Sequence, residues 1–331
     1  MPSVAIVMRT YERPVLLARA IASVQRQTFT DWQLIIVNNG GNPKVVDGVV
    51  SVARQGNPSG DIIVLHLDER VGMEEASNRG LATSTSEFFV IHDDDDSWKE
   101  EFLQRSVAEL RKHSGAAAVV TGVTRIHETF RGGKVWPVRH EDFYLDEGRL
   151  TYRGMIANNT FPPIAALFRS RLLTEVGSFD ATLPVLGDWE FNLRAVNAGG
   201  FVFLNERLAN YHTRTPDSDT ASGNSITNGE DLHRDVKLRL QDRWLAEPAV
   251  NGVNKGMLSI AAQAVFATTA IATMAQWAFT TLNFTEQRCK QYEESVDEII
   301  VAARVRTLGM IYIGVSIVVG LVYFATYRGT F

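Results

Sequence analysis

Phe88-Phe89-Val90-Ile91-His92-Asp93-Asp94-Asp95-Asp96 decides how the chain is read. Four apolar residues run without a break, as in a strand covered on both faces. They lead, through one histidine, into four consecutive carboxylates. Adjacent carboxylates repel one another unless a cation neutralises them. Hard oxygen donors suit Mg²⁺ or Mn²⁺, ions that usually sit between one or two carboxylates and substrate phosphates. In an extended segment side chains alternate, so Asp93 and Asp95 are expected on one face and Asp94 on the other. The competing reading is a solvated acidic loop. The position of the run favours the first reading: it stands at the carboxyl end of a buried strand, before Ser97-Trp98, where open parallel sheets bind ligands.

The same grammar extends outward. Val4 to Met8, Leu34 to Val37 and Ile62 to Leu65 are further short apolar runs. Between the first two, Pro14 opens a helical stretch, with Leu16, Leu17, Ala20, Ile21 and Val24 at helical spacing to about Gln27. Glu74 to Ala82 reads as a second helix. Alternating strands and helices imply an α/β fold: a mostly parallel sheet with right-handed crossovers, flanked by helices. Polar residues after strands two and four, Asn38-Asn39-Gly40-Gly41 and the aspartate run, fall at the ligand-binding edge. Downstream, Ala116 to Val120 and Ile164 to Phe168 are expected strands. Asp188 to Asn197 is an expected helix closed by Gly199-Gly200, and 213–230 an expected mobile loop.

The division expected is 1–110 as a nucleotide-binding half, 111–230 as an acceptor-binding half, and 231–331 as a helical extension. Residues 257–282 carry no charge, and 309–327 are 19 uncharged, mostly apolar residues followed by Arg328. At 1.5 Å per residue the latter spans about 28 Å, a bilayer core. Tyr312, Tyr323 and Tyr327 lie toward its ends, as interfacial aromatics do. A membrane anchor is expected at 309–327 and a second span at 257–282; buried helices, or helices joining a homo-oligomer, are the alternative. The N-terminal apolar run is too short for a signal peptide and lacks a basic segment, so the bulk of the chain is expected to stay where it was made.

The composition is ordinary for a globular protein, with 45% hydrophobic and 21% charged residues among 331. Lys and Arg number 33 against 38 Asp and Glu, a net charge of −5 that argues against nucleic acid as a partner. The single cysteine, Cys289, excludes an internal disulfide and a cysteine-based zinc site.

Pro2 to Trp98 resembles the family 2 glycosyltransferases with the GT-A fold. The family's Thr-Tyr-Asn-Arg-Pro after the first strand appears as Thr10-Tyr11-Glu12-Arg13-Pro14, and its Gln-Thr before the second as Gln27-Thr28. Its Asp-Asp-Gly-Ser appears as Asn38-Asn39-Gly40-Gly41. Its Ala-Arg-Asn-x-Gly helix appears as Ala76-Ser77-Asn78-Arg79-Gly80, and its metal motif as His92 to Asp96. The order and spacing of several motifs carry the likeness, which is looser to about residue 215 and absent beyond 257.

The resemblance implies roles residue by residue. Thr10, Tyr11 and Arg13 would hold the nucleotide of a nucleotide-sugar donor, a UDP-sugar first of all. Asn39 would face the base where the family carries an acid; an amide donates as well as accepts, which loosens the inference to uridine. Asn78, Arg79, Asp94 and Arg214 would contact the donor, and Asp93, Asp95, Asp96 and His212 would hold Mn²⁺ or Mg²⁺. Gly187-Asp188-Trp189-Glu190 resembles the family's Glu-Asp helix start: Asp188 matches the catalytic aspartate, with Glu190 as second candidate base, and Gly187 stands where an acid is usual. The expected activity is inverting, metal-dependent sugar transfer to a hydroxyl of a glycan or lipid-linked acceptor, at the cytoplasmic face of a membrane. Bland alternatives exist for several positions: a plain turn at 38–41, a surface arginine at 79, an N-cap aspartate at 188 and a structural histidine at 212. Two other functions remain open. One is a sugar nucleotidyltransferase, disfavoured by the lack of glycine in 10–14. The other is a degenerate glycan-binding subunit, favoured by Asn39 and Gly187.

Overall fold

Each continuous apolar run becomes a strand, buried on both faces except for the half-exposed run Ile62 to Leu65 at the edge of the sheet. The computed structural model describes residues 2–56, 60–214, 230–248, 254–292, 307–310 and 316. Strands β1 (Val4–Thr10), β2 (Trp32–Asn39), β3 (Asp61–Leu67) and β4 (Phe88–Asp93) pair in parallel in the order β3-β2-β1-β4. Helices α1 (Pro14–Gln25), α2 (Pro43–Gln55) and α3 (Met73–Leu81) make the crossovers. The first and third were expected from spacing. The second was not: Val45, Val46, Val49, Val50 and Ala53 stand at helical spacing, but four of them are valines with Gly48 between, residues of low helix propensity, and only Val46 and Val50 are buried.

The sheet continues through β8 (Ala166–Arg169), β6 (Ala118–Arg131), β9 (Phe201–Arg214) and the two-residue β5 (Ser97–Trp98), with β7 (Lys134–Phe143) paired to β6 as a hairpin. Strand β8 is antiparallel to both β4 and β6, whereas β6 and β9 run parallel. Helix α4 (Phe102–Lys112), the single turns α5 (Tyr152–Met155) and α6 (Leu172–Glu175), and α7 (Gly187–Gly199) fill the remaining connections. The strand order reverses between β1 and β4, and the carboxyl ends of those two strands open the crevice typical of such a switch point.

Helix α8 (Glu230–Ala246) adds Val236, Leu240 and Trp244 to the buried core. Helix α9 (Lys255–Tyr292) begins on the same body, where buried Ser259 accepts a hydrogen bond from Gln241 Nε2 at 3.1 Å and donates to the Ile156 carbonyl at 2.9 Å. The chain divides into two compact units, Met1–Ala262 and Gln263–Phe331. Lys255–Thr281 is long and apolar enough to cross a membrane, with Met274, Trp277 and Phe279 exposed. Of the expected anchor at 309–327, all but 309, 310 and 316 lies outside the described residues, as do 215–229 of the expected loop.

Gly80 closes α3 onto β1 and β2. A Cβ at this position would stand 2.6 Å from Val7 Cγ1 and 2.9 Å from Val37 Cγ2. Replacing Gly80 by Val gains only a few tenths of a kcal/mol in helix propensity (about 0.3–0.5), against about 1–3 kcal/mol for overpacking. Gly80→Val is therefore expected to lower the urea midpoint with an unchanged slope, and an unchanged midpoint would refute the close packing of α3 on the sheet.

Candidate active site

Arg9 and Asp93 are register partners across the switch point, on β1 and β4. The Arg9 guanidinium donates to Asp93 Oδ1. Strand β4 ends at Asp93, and the next residues turn, with the Asp96 N–H donating to the Asp93 carbonyl at 3.2 Å. The alternation expected through Asp95 therefore stops at Asp93, and Asp94 lines the same cavity as Asp93 and Asp95.

The aspartates are held by cations from three elements. Thr10 Oγ1 donates to Asp94 Oδ2 at 2.7 Å, and Arg13 Nη1 lies 3.3 Å from Asp94 Oδ1 and 3.4 Å from Asp95 Oδ2. Arg214, fully buried, pairs with Asp95 and donates to Glu128 Oε1 at 2.8 Å. Arg19 donates to Glu128 Oε2 at 2.8 Å and to the Asp95 carbonyl. Burial alone would raise Asp95, but Arg214 and Arg13 hold it below the ordinary carboxylate range. Burial wins at Asp94, pushed up to about 6 against Arg13. It wins also at Asp96, raised well above its usual value with Asp95 and Asp93 adding to the effect.

A cavity of about 490 Å³ opens over this tip. Its wall includes Thr10, Tyr11, Arg13, Asn39 and Asp93 to Asp95 from the parallel half of the sheet, and Asp188 from the start of α7. The turn into α7 puts Leu186 at φ +65°, a left-handed conformation that costs a branched residue on the order of 1–2 kcal/mol. Asp188 is half-buried, accepts a hydrogen bond from Asn159 Nδ2 at 2.6 Å, and is raised by desolvation above the usual carboxylate range. The Arg70 guanidinium lies over the Tyr11 ring at 4.5 Å.

Six expected contacts fall elsewhere. Asn78 is spent on the Phe179 backbone, donating to its carbonyl at 2.9 Å and accepting from its N–H at 3.0 Å. Arg79 is an exposed helix residue paired with Glu75 at 2.8 Å. Glu190 turns away to Arg194 at 2.7 Å, and Arg194 in turn holds the Ser178 carbonyl at 2.8 Å. Arg214 is a buried strut between Asp95 and Glu128, off the cavity wall. Asp96 Oδ1 accepts the His212 backbone N–H at 2.8 Å inside the protein. Both ring nitrogens of His212 are engaged, Nδ1 with Glu128 Oε2 and Nε2 with Ser97 Oγ, each at 2.9 Å. Burial keeps this imidazole low and so neutral, with Nδ1–H donating and Nε2 accepting. Trp189 is core, its indole N–H donating to the Met155 carbonyl at 2.7 Å. His92 is core as well, edge-on to Trp98 at 4.4 Å between centroids and pushed down by burial to about 4. Asn39 lines the cavity, yet its amide also ties the loop before α3, accepting from the Val71 N–H at 2.9 Å and donating to the Gly72 carbonyl at 3.2 Å. Asn38 closes the turn at 38–41 by accepting from the Gly41 N–H at 3.1 Å.

No group of three metal-ligating side chains occurs among the described residues. Asp93 and Asp95 remain on the cavity wall, which fits an octahedral hard cation that takes its other ligands from phosphates and water. The residues missed by sequence reading are Arg9, Glu74, Arg19 and Glu128. Arg9 left a signal, a charge inside an apolar strand; Glu128 left none.

Glu128 joins two arginines and a histidine in the interior. Burial would raise it, but the hydrogen bonds from His212 and Arg19 hold it at about 2. A carboxylate depressed in the folded state contributes its full stability above the ordinary 4.5 and loses it as pH falls toward 2. Glu128→Gln leaves Arg214 and Arg19 without their shared counter-charge and is expected to cost about 3–5 kcal/mol. Denaturant titrations between pH 7 and pH 3 are expected to find this loss together with a flattened acid limb; wild-type stability and pH dependence would contradict the assignment.

Residues 5–177, just over half the chain, match the sequence profile described as Glycosyl transferase family 2. A Bacillus subtilis protein named uncharacterized glycosyltransferase YwdF is 28% identical over 192 residues, 58% of this chain and 67% of its own. A PGL/p-HBAD biosynthesis glycosyltransferase of Mycobacterium bovis is 26% identical over 215 residues, 64% of this chain and 77% of its own. Among solved structures, S. aureus TarS residues 1–349 with UDP superposes with a TM-score of 0.55 at 16% identity, covering 78% of this chain and 69% of that one. The Pyrobaculum calidifontis mannosyltransferase PcManGT with GDP-Man and Mn²⁺ gives 0.52 at 17% identity, over 85% and 81% of the two chains. These structures share the GT-A fold seen here. A half-Rossmann sheet ending in an acidic tip, the motif series from Thr10 to Asp96 and the profile match agree: the chain is a glycosyltransferase belonging to glycosyl transferase family 2.

Proposed function

We propose that this protein is an inverting glycosyltransferase that moves one sugar from a nucleotide-sugar to a hydroxyl acceptor. The observation that carries the reading is the presence of Asp188 on the wall of the same cavity as Asp93 and Asp95. One wall is suited to a diphosphate and the other carries a base. The donor's diphosphate lies over the switch point, near Arg13 and the aspartate tip, with the nucleoside toward Tyr11 and Asn39. Solved proteins of the same fold that hold UDP or GDP-Man support a nucleotide-sugar donor; a UDP-sugar remains the first choice.

Asp188 takes the proton of the acceptor hydroxyl as its oxygen attacks the anomeric carbon. The bond from that carbon to the diphosphate breaks on the opposite face, which inverts the configuration. Burial above the usual carboxylate range makes Asp188 a stronger base than an exposed aspartate. Asn159 fixes the carboxylate's orientation. Mg²⁺ or Mn²⁺, held by Asp93 and Asp95, would offset the charge collecting on the departing diphosphate.

The acceptor is a glycan or a lipid-linked saccharide of the cell envelope. A relative named for PGL/p-HBAD biosynthesis supports this setting. The apolar helix Lys255–Thr281 supports a station on the cytoplasmic face of the membrane, where anchoring raises the effective concentration of a lipid-linked acceptor.

Asp188→Asn is expected to lower transfer by about 10²–10⁴-fold while leaving the thermal stabilisation by nucleotide diphosphate intact. Asp95→Ala is expected to lose both, and chelation of divalent ions should abolish turnover that Mn²⁺ restores. Wild-type turnover by Asp188→Asn would overturn the assignment of the base.

A further inference from the structure

Gly187, at the start of α7, has no side chain, and the room beside it is taken. A Cβ at this position would stand 2.4 Å from Glu74 Cδ, 2.5 Å from Cγ and 2.6 Å from Oε1. The backbone of Gly187 needs no positive φ, so its conformation does not demand glycine. What excludes a side chain there is the carboxyl group of Glu74, reaching over from the first turn of α3.

Glu74 is 3% exposed, lines the main cavity together with Asp188, and accepts a hydrogen bond from the Gly187 backbone N–H. Its cationic neighbour Arg9, 3.9 Å away, is shared with Asp93. A nearly buried carboxylate with half a counter-ion is an expensive structural element. An apolar side chain would fill the same volume at lower cost. Its position makes sense if a hydrogen-bond donor arrives from the cavity.

We propose that Glu74 supplies a second carboxylate of the active site from α3, in the space that a side chain at position 187 would otherwise occupy, and that it accepts a hydrogen bond from a substrate hydroxyl beside Asp188. The inference rests on the glycosyl-transfer reading above. It also removes one ground for regarding the chain as a degenerate binding subunit, because the acid absent at 187 is replaced in space.

The test moves the carboxylate back. Transfer from a nucleotide-sugar with Mn²⁺ is measured for wild type, Glu74→Gln, Glu74→Ala, Gly187→Glu and the double variant Glu74→Ala/Gly187→Glu, each with its thermal unfolding profile. Loss of a charge-assisted hydrogen bond is expected to lower kcat/KM about 10- to 100-fold in the Gln and Ala variants. Stabilisation by nucleotide diphosphate should remain. Gly187→Glu alone, which forces two carboxyl groups into one space, is expected to be destabilised. The double variant is expected to regain most of the activity lost in Glu74→Ala, which a merely structural role for Glu74 would not produce. Should Glu74→Ala unfold, Glu74→Gln carries the comparison at nearly constant volume. Near-wild-type turnover in Glu74→Gln overturns the proposal, as does a folded double variant no faster than Glu74→Ala. A wild type inactive on every nucleotide-sugar overturns the glycosyl-transfer reading and takes this inference with it.

Discussion

Of the four consecutive carboxylates at the tip of β4, Asp94, Asp95 and Asp96 are buried and Asp93 is partly exposed, and arginines from β1, from α1 and its N-terminus, and from β9 are folded in around them. Arg9 comes by register, Arg13 and Arg19 from the helix that follows β1, and Arg214 from the far end of β9. Buried ion pairs seldom add much net stability, since desolvation cancels most of the attraction. Their effect here is geometric. Arg214 and Glu128, register partners on β9 and β6, link the mixed half of the sheet to the parallel half through Asp95. Asp93 to Asp95 line one wall of the cavity and Asp188 another.

The network also separates carboxylates that look equivalent in the sequence. Asp95 is kept ionised by two arginines, and burial pushes Asp94 up to about 6. Asp96 is turned inward to a backbone N–H and stays off the cavity wall. Glu74, pushed by burial to about 7 against the pull of Arg9, differs again. Environment thus gives five neighbouring acids, counting Asp188, different chemical capacities.

The parallel half of the fold was legible because each of its strands is an uninterrupted apolar run, the mark of burial on both faces. Strands β6, β7 and β9 were harder to read. They carry Arg125, His127, Arg139 and Glu141 on faces that are half solvated or exposed, and the buried charge of Glu128 among them, so their pattern resembles loop. Among site residues, those at the carboxyl ends of β1, β2 and β4 and at the start of α7 could be located from the motifs. Asn78, Arg79, Asp96, Glu190, His212 and Arg214 were expected at the cavity and hold other partners, because spacing tells where a residue sits along an element, but not which partner its side chain finds. Glu74 was invisible for the same reason. Its significance depends on the missing side chain of Gly187, more than a hundred positions away in the chain.

In the proposed reaction the diphosphate sits at the switch point and Asp188 faces the reacting sugar. Anomalous diffraction from crystals grown with a nucleotide-sugar and Mn²⁺ tests this most directly. An anomalous peak is expected within about 2–2.5 Å of a carboxylate oxygen of Asp93 or Asp95, adjoining the diphosphate, with the anomeric carbon turned toward Asp188. A diphosphate seated away from the β1 and β4 ends, or a sugar with its anomeric carbon facing away from Asp188, would contradict it.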